Sequence, residues 1–306
     1  MRTDQAAAIL IDWGTTNLRA FRLGRDGAVR ERRQAPRGIL HVPERDFARA
    51  LRDLVGDWRA AAPTCPVLMA GMIGSRQGWV EAPYVPCPAG PADLARHIVE
   101  VPGAPGVRVT PGVSFAAVDG RHDVMRGEET QIFGALAGAG TGRRVLCLPG
   151  THSKWAVVED GQIVWFATAM TGEVYAVLQA HSILGALMTG DAQDSSAFRR
   201  GLDRSGQDGG LLHHLFGVRA QGLVGAIPAT GLRSYLSGIL VGHEVAAMIA
   251  LTRPETVVLV GAPALCALYA EALLRHGCAS DTVDGEHATV AGLSLLLATA
   301  AADRTG

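Results

Sequence analysis

Asp12-Trp13-Gly14-Thr15-Thr16-Asn17 lies between a short apolar run, Ala8 to Ile11, and an alternating segment, Leu18 to Leu23. A glycine flanked by hydroxyl residues leaves backbone N–H groups uncovered by side-chain bulk, which suits phosphate oxygens. Asp12, at the end of a buried strand, is placed to reach a metal ion or its water shell. Thr-Thr-Asn is also ordinary turn chemistry, so one occurrence would read as a plain hairpin. The pattern recurs: Gly14-Thr15-Thr16-Asn17-Leu18-Arg19-Ala20 aligns with Gly150-Thr151-His152-Ser153-Lys154-Trp155-Ala156. Downstream, Arg25-Asp26-Gly27 matches Glu159-Asp160-Gly161, and both Asp-Gly pairs are good hairpin turns. Two glycine-turn hairpins, each followed by a third strand, imply two similar domains. Turns that face each other could clamp one polyphosphate from both sides.

Other residues bear on proton transfer and binding. Glu128 and Glu129 stand in what reads as the first turn of a helix, where acidic side chains complement the helix dipole. A carboxylate there can also serve as general base. Gly71 to Ser75 follows the buried strand Cys65 to Ala70, at the kind of strand end where open α/β sheets place ligand loops. The proline-rich stretch Ser75 to Pro91 carries Trp79 and Tyr84, which either wall a substrate or pack the loop on its domain. The aspartates between Thr189 and Gly210 lack calcium-loop spacing and read as solvated surface. His243-Glu244 has no second histidine at metal-ligand spacing, so zinc is unsupported.

These residues need elements to hold them. Apolar spacing predicts helices over Glu44–Ala61, Ala92–Val99, Val174–Leu187, Leu232–Leu251, Ala264–His276 and Thr289–Asp303. Strands are expected at Val107–Val113, broken by Pro111-Gly112, and at the all-apolar Thr256–Val260. The second of these ends in Gly261, either a flat surface for adenosine or a plain β-to-α turn. Thr189–Gly210 reads as loop with one short helix near Ala197–Leu202. Glycines in the helix after Glu129 and Gly292 in the last helix suggest two closely crossing connectors that form a hinge. Gly238 and Gly242 suggest close approach by another backbone or a nucleotide.

At 306 residues the chain is comfortable for two domains. A net charge of −1 argues against general nucleic-acid binding and against adhesion to anionic membranes. Five cysteines without a C-x-x-C pair point to a reducing compartment. The N-terminal apolar run from Ala6 has Asp4 before it and no cleavage-like region after it, and Ala291–Ala302 is too short to span a bilayer. A soluble cytoplasmic protein is expected.

The order of glycine-turn hairpin, small-residue helix, second hairpin, apolar strand with Gly261 and second small-residue helix resembles the sugar kinase, hexokinase, actin and heat-shock ATPase superfamily. Within it, IDWGTTNLRA, VLMAGMIGS, GWVEAPY, VMRGEETQIFGA, PGTHSKW, MTGE and LSGILVGHEVA resemble the 2-dehydro-3-deoxygalactonokinase family. The resemblance implies an α/β fold of two similar actin-like ATPase (ribonuclease H-like) domains with a central cleft. The expected domains are 1–122 and 123–306, with a last helix able to pack back on the first. It implies ATP and Mg2+ as cofactors and phosphorylation of a 2-keto-3-deoxy sugar acid at its 6-hydroxyl. Alternatives are a kinase of the gluconate epimer or an exopolyphosphatase-like phosphohydrolase.

Carried onto this chain, Asp12 would hold hydrated magnesium. Gly14, Thr15, Thr16, Gly150 and Thr151 would contact phosphate, Gly261 would adjoin adenosine, and Glu128, with Glu129 second, would be the base. Pro149 stands where many superfamily members carry aspartate, and Lys154 can meet phosphate, meet the substrate carboxylate, or be an exposed strand lysine. Arg19, Gly71, Ser75, Trp79, Tyr84 and Arg126 would line the sugar acid, the arginines offering a fork to its carboxylate. The expected partners are the sugar acid and ATP, with no nucleic acid and no membrane. Self-association stays open. A sensing regulator would need a DNA-binding module, for which too few residues precede Asp12, and no peptide-binding domain is expected after Asp303.

Overall fold

The computed structural model describes residues 7–303, so Asp4 and Ala6 lie outside the described residues. The chain runs β1 (Ala8–Trp13), β2 (Leu18–Leu23), β3 (Val29–Ala35), α1 (Phe47–Ala61), β4 (Val67–Ala70), β5 (Tyr84–Pro86), α2 (Pro91–Arg96), β6 (Val99–Glu100), β7 (Val107–Val109), β8 (Gly112–Ala116), β9 (His122–Met125) and α3 (Glu128–Ala135). It continues through β10 (Arg144–Leu148), β11 (Ser153–Glu159), β12 (Gln162–Ala169), α4 (Thr171–His181), α5 (Ser195–Ser205), α6 (Gly210–Leu223), α7 (Leu232–Thr252), β13 (Thr256–Gly261), α8 (Pro263–Arg275), β14 (Ala279–Asp284) and α9 (Gly285–Ala302).

Two units result. The first takes the described residues up to Arg143, the segment Val158–Phe166 and the chain from Val283 on; the second takes Arg144–Val157 and Ala167–Thr282. The first unit carries a sheet in the order β3-β2-β1-β4-β7-β6, and the second is built on β12-β11-β10-β13-β14. The shared part is the repeat read from the sequence: three meandering strands, then a parallel strand beside the first of them, β4 on β1 and β13 on β10. The second hairpin closes at Asp160 and Gly161, both at positive φ, as a two-residue turn between right-twisted strands requires.

β1 is buried from Ala8 to Ile11 because helices cover the sheet, and Ile9, Ile11, Trp13, Leu51, Val67 and Val109 share one core. α3 and α9 cross over this sheet through glycine. A methyl on Gly134 would lie 1.8 Å from the Ala288 carbonyl oxygen, and one on Gly292 1.9 Å from that of Thr130, so only hydrogen fits at either position. In the second unit α7 is the central helix, packed by α4, α5, α6 and α8. It is long and apolar enough to span a membrane by composition, and its burial here accounts for that character.

Several expected boundaries move. α1 begins at Phe47 because Glu44 and Arg45 take positive φ (52° and 58°), which cannot propagate a helix; the Asp46 side chain caps it by accepting from the Arg49 N–H at 2.9 Å. The strand expected at Val107–Val113 is two strands, as its Pro-Gly break suggested, and the proline-rich loop contains β5, paired with β8. α4 starts at Thr171 and ends at His181, short of Leu187, while α9 starts four residues before Thr289. The polar stretch Thr189–Gly210 holds an 11-residue helix, α5, capped by Asp194. Gly238 answers this helix, not a nucleotide: a methyl on it would meet the Phe198 carbonyl oxygen of α5 at 2.1 Å.

Candidate active-site residues

In the first unit the turn after β1 is held from behind. The carbonyls of Gly14, Thr15 and Thr16 accept from the N–H groups of Ile39, Leu40 and Gly38 at 3.0, 3.4 and 2.8 Å, and Trp13 Nε1 donates to the Arg37 carbonyl at 2.8 Å. Thr15 and Thr16 are exposed, and no partner for their own N–H groups is found among the described residues. A turn whose oxygens are engaged and whose N–H groups face solvent is an anion cradle.

Asp12 accepts from Arg19 Nη1 at 3.1 Å, and Arg19 Nε lies 3.5 Å from Glu286 Oε1. Burial pushes the Asp12 carboxyl above its usual range, Arg19 pulls it back, and the nearby Glu128 and Glu286 push it up again. Thus Asp12 and Glu128, 116 positions apart in the chain, feel each other directly. The segments that carry them approach through glycine: Gly71 (φ 97°) lies against Trp13 and Asp12, and a methyl on Gly127 (φ 111°) would be 3.1 Å from the Gly71 Cα.

The two glutamates opening α3 have different surroundings. Glu128 is half-buried and accepts from the Arg126 N–H through Oε2 at 3.1 Å. Glu129 is fully buried, and both its oxygens accept from the Gly127 N–H, at 2.9 and 2.8 Å. Burial, with Glu128 beside it, pushes the Glu129 carboxyl up to about 8. Native Glu129 therefore holds its proton to about pH 8, whereas an ordinary glutamate releases it near 4.5. The native state gains most below pH 4.5, and this contribution is lost as pH rises through 8. Glu129→Gln should flatten the fall of Tm between these limits, a swing of at most about 5 kcal/mol. Calorimetry across that range checks it; a variant that loses Tm as steeply as the wild type places the titrating proton elsewhere.

Arg126 is 8% exposed. Its Nη2 donates to the Ala82 carbonyl at 2.8 Å, its guanidinium lies 4.2 Å over the Tyr84 ring, and its Nε and Nη1 are buried without a hydrogen-bond partner. Trp79 packs against Trp13 and Phe47 with ring centroids 6.5 Å from each. Ser75 turns its hydroxyl to the Met72 carbonyl at 2.7 Å.

In the second unit Thr151 is exposed at the tip of the matching turn, and the Gly150 N–H donates to Ser153 Oγ at 3.4 Å. A buried relay stands behind it. Glu244 of α7 accepts from Trp155 Nε1 at 2.8 Å and from the Tyr269 hydroxyl at 2.7 Å, and Ser153 Oγ is 2.9 Å from that hydroxyl. An ionised Glu244 accepts only, so Tyr269 donates to it, Ser153 donates to Tyr269, and the Ser153 oxygen is left to receive the Gly150 N–H. Sequence reading weighed Glu244 only for zinc and did not find this role. Lys154 is 5% exposed with Nζ 3.2 Å from the His152 carbonyl, not an exposed strand lysine, and His152 pairs with Glu173.

Gly150 and Thr151 border a cavity of about 500 Å3 whose other walls include Phe198, Leu240, Leu265 and Leu268. Apolar side chains together with the hydroxyls of Thr151, Thr171 and Ser237 suit a nucleotide, whose base is apolar and whose sugar and phosphates are polar. Gly261 is not among the lining residues; α8, which follows it, supplies Leu265 and Leu268 instead. Among the described residues no group of three histidine, cysteine or acidic side chains could enclose a metal.

Known proteins give this geometry its context. A model of the 2-keto-3-deoxy-galactonokinase family matches residues 12–296. The chain is 37% identical over 289 residues to a curated 2-dehydro-3-deoxygalactonokinase of Escherichia coli K12, covering 94% of this chain and 96% of that one. A solved structure from Sinorhizobium meliloti, described as a candidate 2-dehydro-3-deoxygalactonokinase, superposes with a TM-score of 0.88 at 35% identity over 97% of this chain and 99% of that one. An activator of 2-hydroxyisocaproyl-CoA dehydratase from Clostridium difficile shares the fold alone, with a TM-score of 0.51 at 11% identity over 98% and 97% of the two chains. The repeated hairpin sheet is thus the actin-like sugar kinase fold. Matched almost from end to end, the chain is an ATP-using phosphotransferase and belongs to the 2-keto-3-deoxy-galactonokinase family.

Proposed function

We propose that the protein transfers the γ-phosphoryl group of ATP to the 6-hydroxyl of 2-dehydro-3-deoxy-D-galactonate, in galactose or galactonate breakdown. The observation that carries the acidic substrate is Arg126, a buried guanidinium with two N–H-bearing nitrogens unpartnered, held flat by Tyr84 and Ala82. A carboxylate that reached this guanidinium would supply an acceptor and a counter-charge for its unmatched N–H groups. A neutral-sugar kinase has no use for it.

In this reading the cavity beside Gly150 and Thr151 takes the nucleotide, and the exposed N–H groups of Thr15 and Thr16 meet phosphate oxygens. Glu128 accepts the hydroxyl proton as the oxygen attacks. Glu129, enclosed by Gly127, fixes the helix start that aims Glu128. Asp12 would hold magnesium; one carboxylate, completed by waters and phosphate oxygens, is how that ion is commonly held, and it would neutralise charge developing in transfer. Trp79 stiffens the floor beneath Asp12 by packing on Trp13. Five free cysteines, four of them buried, accord with a cytoplasmic location.

A coupled ATP-consumption assay with the galactonate and gluconate epimers tests the substrate. Turnover should need the sugar acid and favour the galactonate form, and Arg126→Lys, which keeps charge but loses the fork, should raise its KM roughly 10- to 100-fold with the KM for ATP little changed. ADP release that ignores the sugar acid would overturn the proposal.

A further inference from the structure

α6 is inverted relative to an ordinary surface helix. Its buried residues are His214 and Val218, while on the opposite side Leu212, Phe216 and Leu223 fall within about 40° of one another. A surface helix normally turns charged residues outward. Here the outer stripe is 86% exposed at Leu212 and 61% at both Phe216 and Leu223, and Val224 continues it at 76%. Ile183 borders it at 58%, where Arg219 Nη1 donates to its carbonyl at 3.3 Å.

We propose that this face of α6 is the interface at which two copies of the chain associate. Large apolar side chains present on the order of 150–200 Å2 each, so the stripe exposes roughly 500 Å2. A standard interface takes about 800 Å2 from each partner, and some 60% of that is apolar. The stripe supplies the apolar share, Arg219 lies on the same line between Phe216 and Leu223, and His213 flanks it at the rim. A second copy fits better than an unlike protein because a line of Leu, Phe and Leu without a single carboxylate is complementary to itself when two helices lie antiparallel about a two-fold axis. With the axis between Phe216 and Arg219, the guanidinium of each copy reaches the phenyl ring of the other. A groove of about 500 Å3 between α5 and α6, with Phe216, Gly217 and Tyr235 on one side and the charged Arg200, Asp203 and Arg204 on the other, opens beside the stripe as a recess for a polar side chain of the second copy.

Sedimentation velocity with light scattering tests this independently of the reaction. The wild type should have twice its 32.0 kDa mass. Phe216→Glu and Leu212→Glu should return it to a single chain with unchanged circular dichroism, whereas Leu274→Glu, at an exposed leucine of α8, should leave the double mass. A wild type that is monomeric across about 1–100 μM, or a folded Phe216→Glu variant that keeps the double mass, overturns the proposal. Should Phe216→Glu not fold, Ala220→Cys reads the same contact: a short bismaleimide should link it into dimers above the wild-type background, and failure to do so counts against the interface.

Discussion

Glu128→Gln should lower kcat for sugar-acid phosphorylation by about 100- to 10,000-fold, the range over which a positioned acid–base group acts. The substitution keeps size and leaves an oxygen to accept from the Arg126 N–H, so the start of α3 should persist. ATP affinity should change little, because Glu128 is assigned to the sugar-acid hydroxyl and does not line the cavity proposed for the nucleotide. The two readouts together are diagnostic: steady-state kcat with the sugar acid saturating, and titration of a fluorescent ATP analogue. Loss of both would make Glu128 a structural residue. Near-normal turnover would move the base, with Glu129 next in line despite its enclosure.

Gly134→Val should have the largest effect on stability. Its Cβ would stand 1.8 Å from the Ala288 carbonyl oxygen and 2.6 Å from the Gly292 N, both backbone atoms that cannot swing aside. α3 and α9 would have to separate, and overpacking of this kind costs about 3 kcal/mol or more. For a unit of this size that is a fall in Tm of roughly 6–12 °C. Gly140 offers the control, since a methyl there meets nothing within 4 Å; Gly140→Ala should stay within about 0.5 kcal/mol of the wild type. Scanning calorimetry of both variants decides it, and a Gly134→Val protein that melts with the wild type would remove the crossing from the account.

The two hairpins, the central strand β13 and helix α7 were legible because each buries a strongly periodic or fully apolar segment, and the repeat of Gly14 at Gly150 set the architecture before any coordinate. α5 was legible only as a short helix near Ala197–Leu202 and not in its full length, because its inward face is Ala197, Phe198, Gly201 and Leu202, and one of those contacts is glycine on glycine, which hydropathy does not register. β14, Ala-Ser-Asp-Thr-Val-Asp, is a mostly exposed edge strand without an apolar alternation to announce it. At the site, residue types carried the carboxylates and the turns, but not their partners. That Arg19 is shared between Asp12 and Glu286, or that Glu244 stands behind Ser153, depends on contacts between residues far apart in the chain.

The crossing of α3 with α9 also fixes an order of events during synthesis. About 150 residues separate the end of α3 from the start of α9, and a ribosome adding roughly 5–20 residues each second needs some 8 to 30 s to cover them. Until then β1 and β4 lack the helix that packs over them, and Gly134 has no Ala288 to meet. The second unit lies wholly within that interval, so its sequence is complete before the first unit can close. A nascent chain stalled before Val283 would therefore carry an open first unit, with α3 waiting on a helix not yet made.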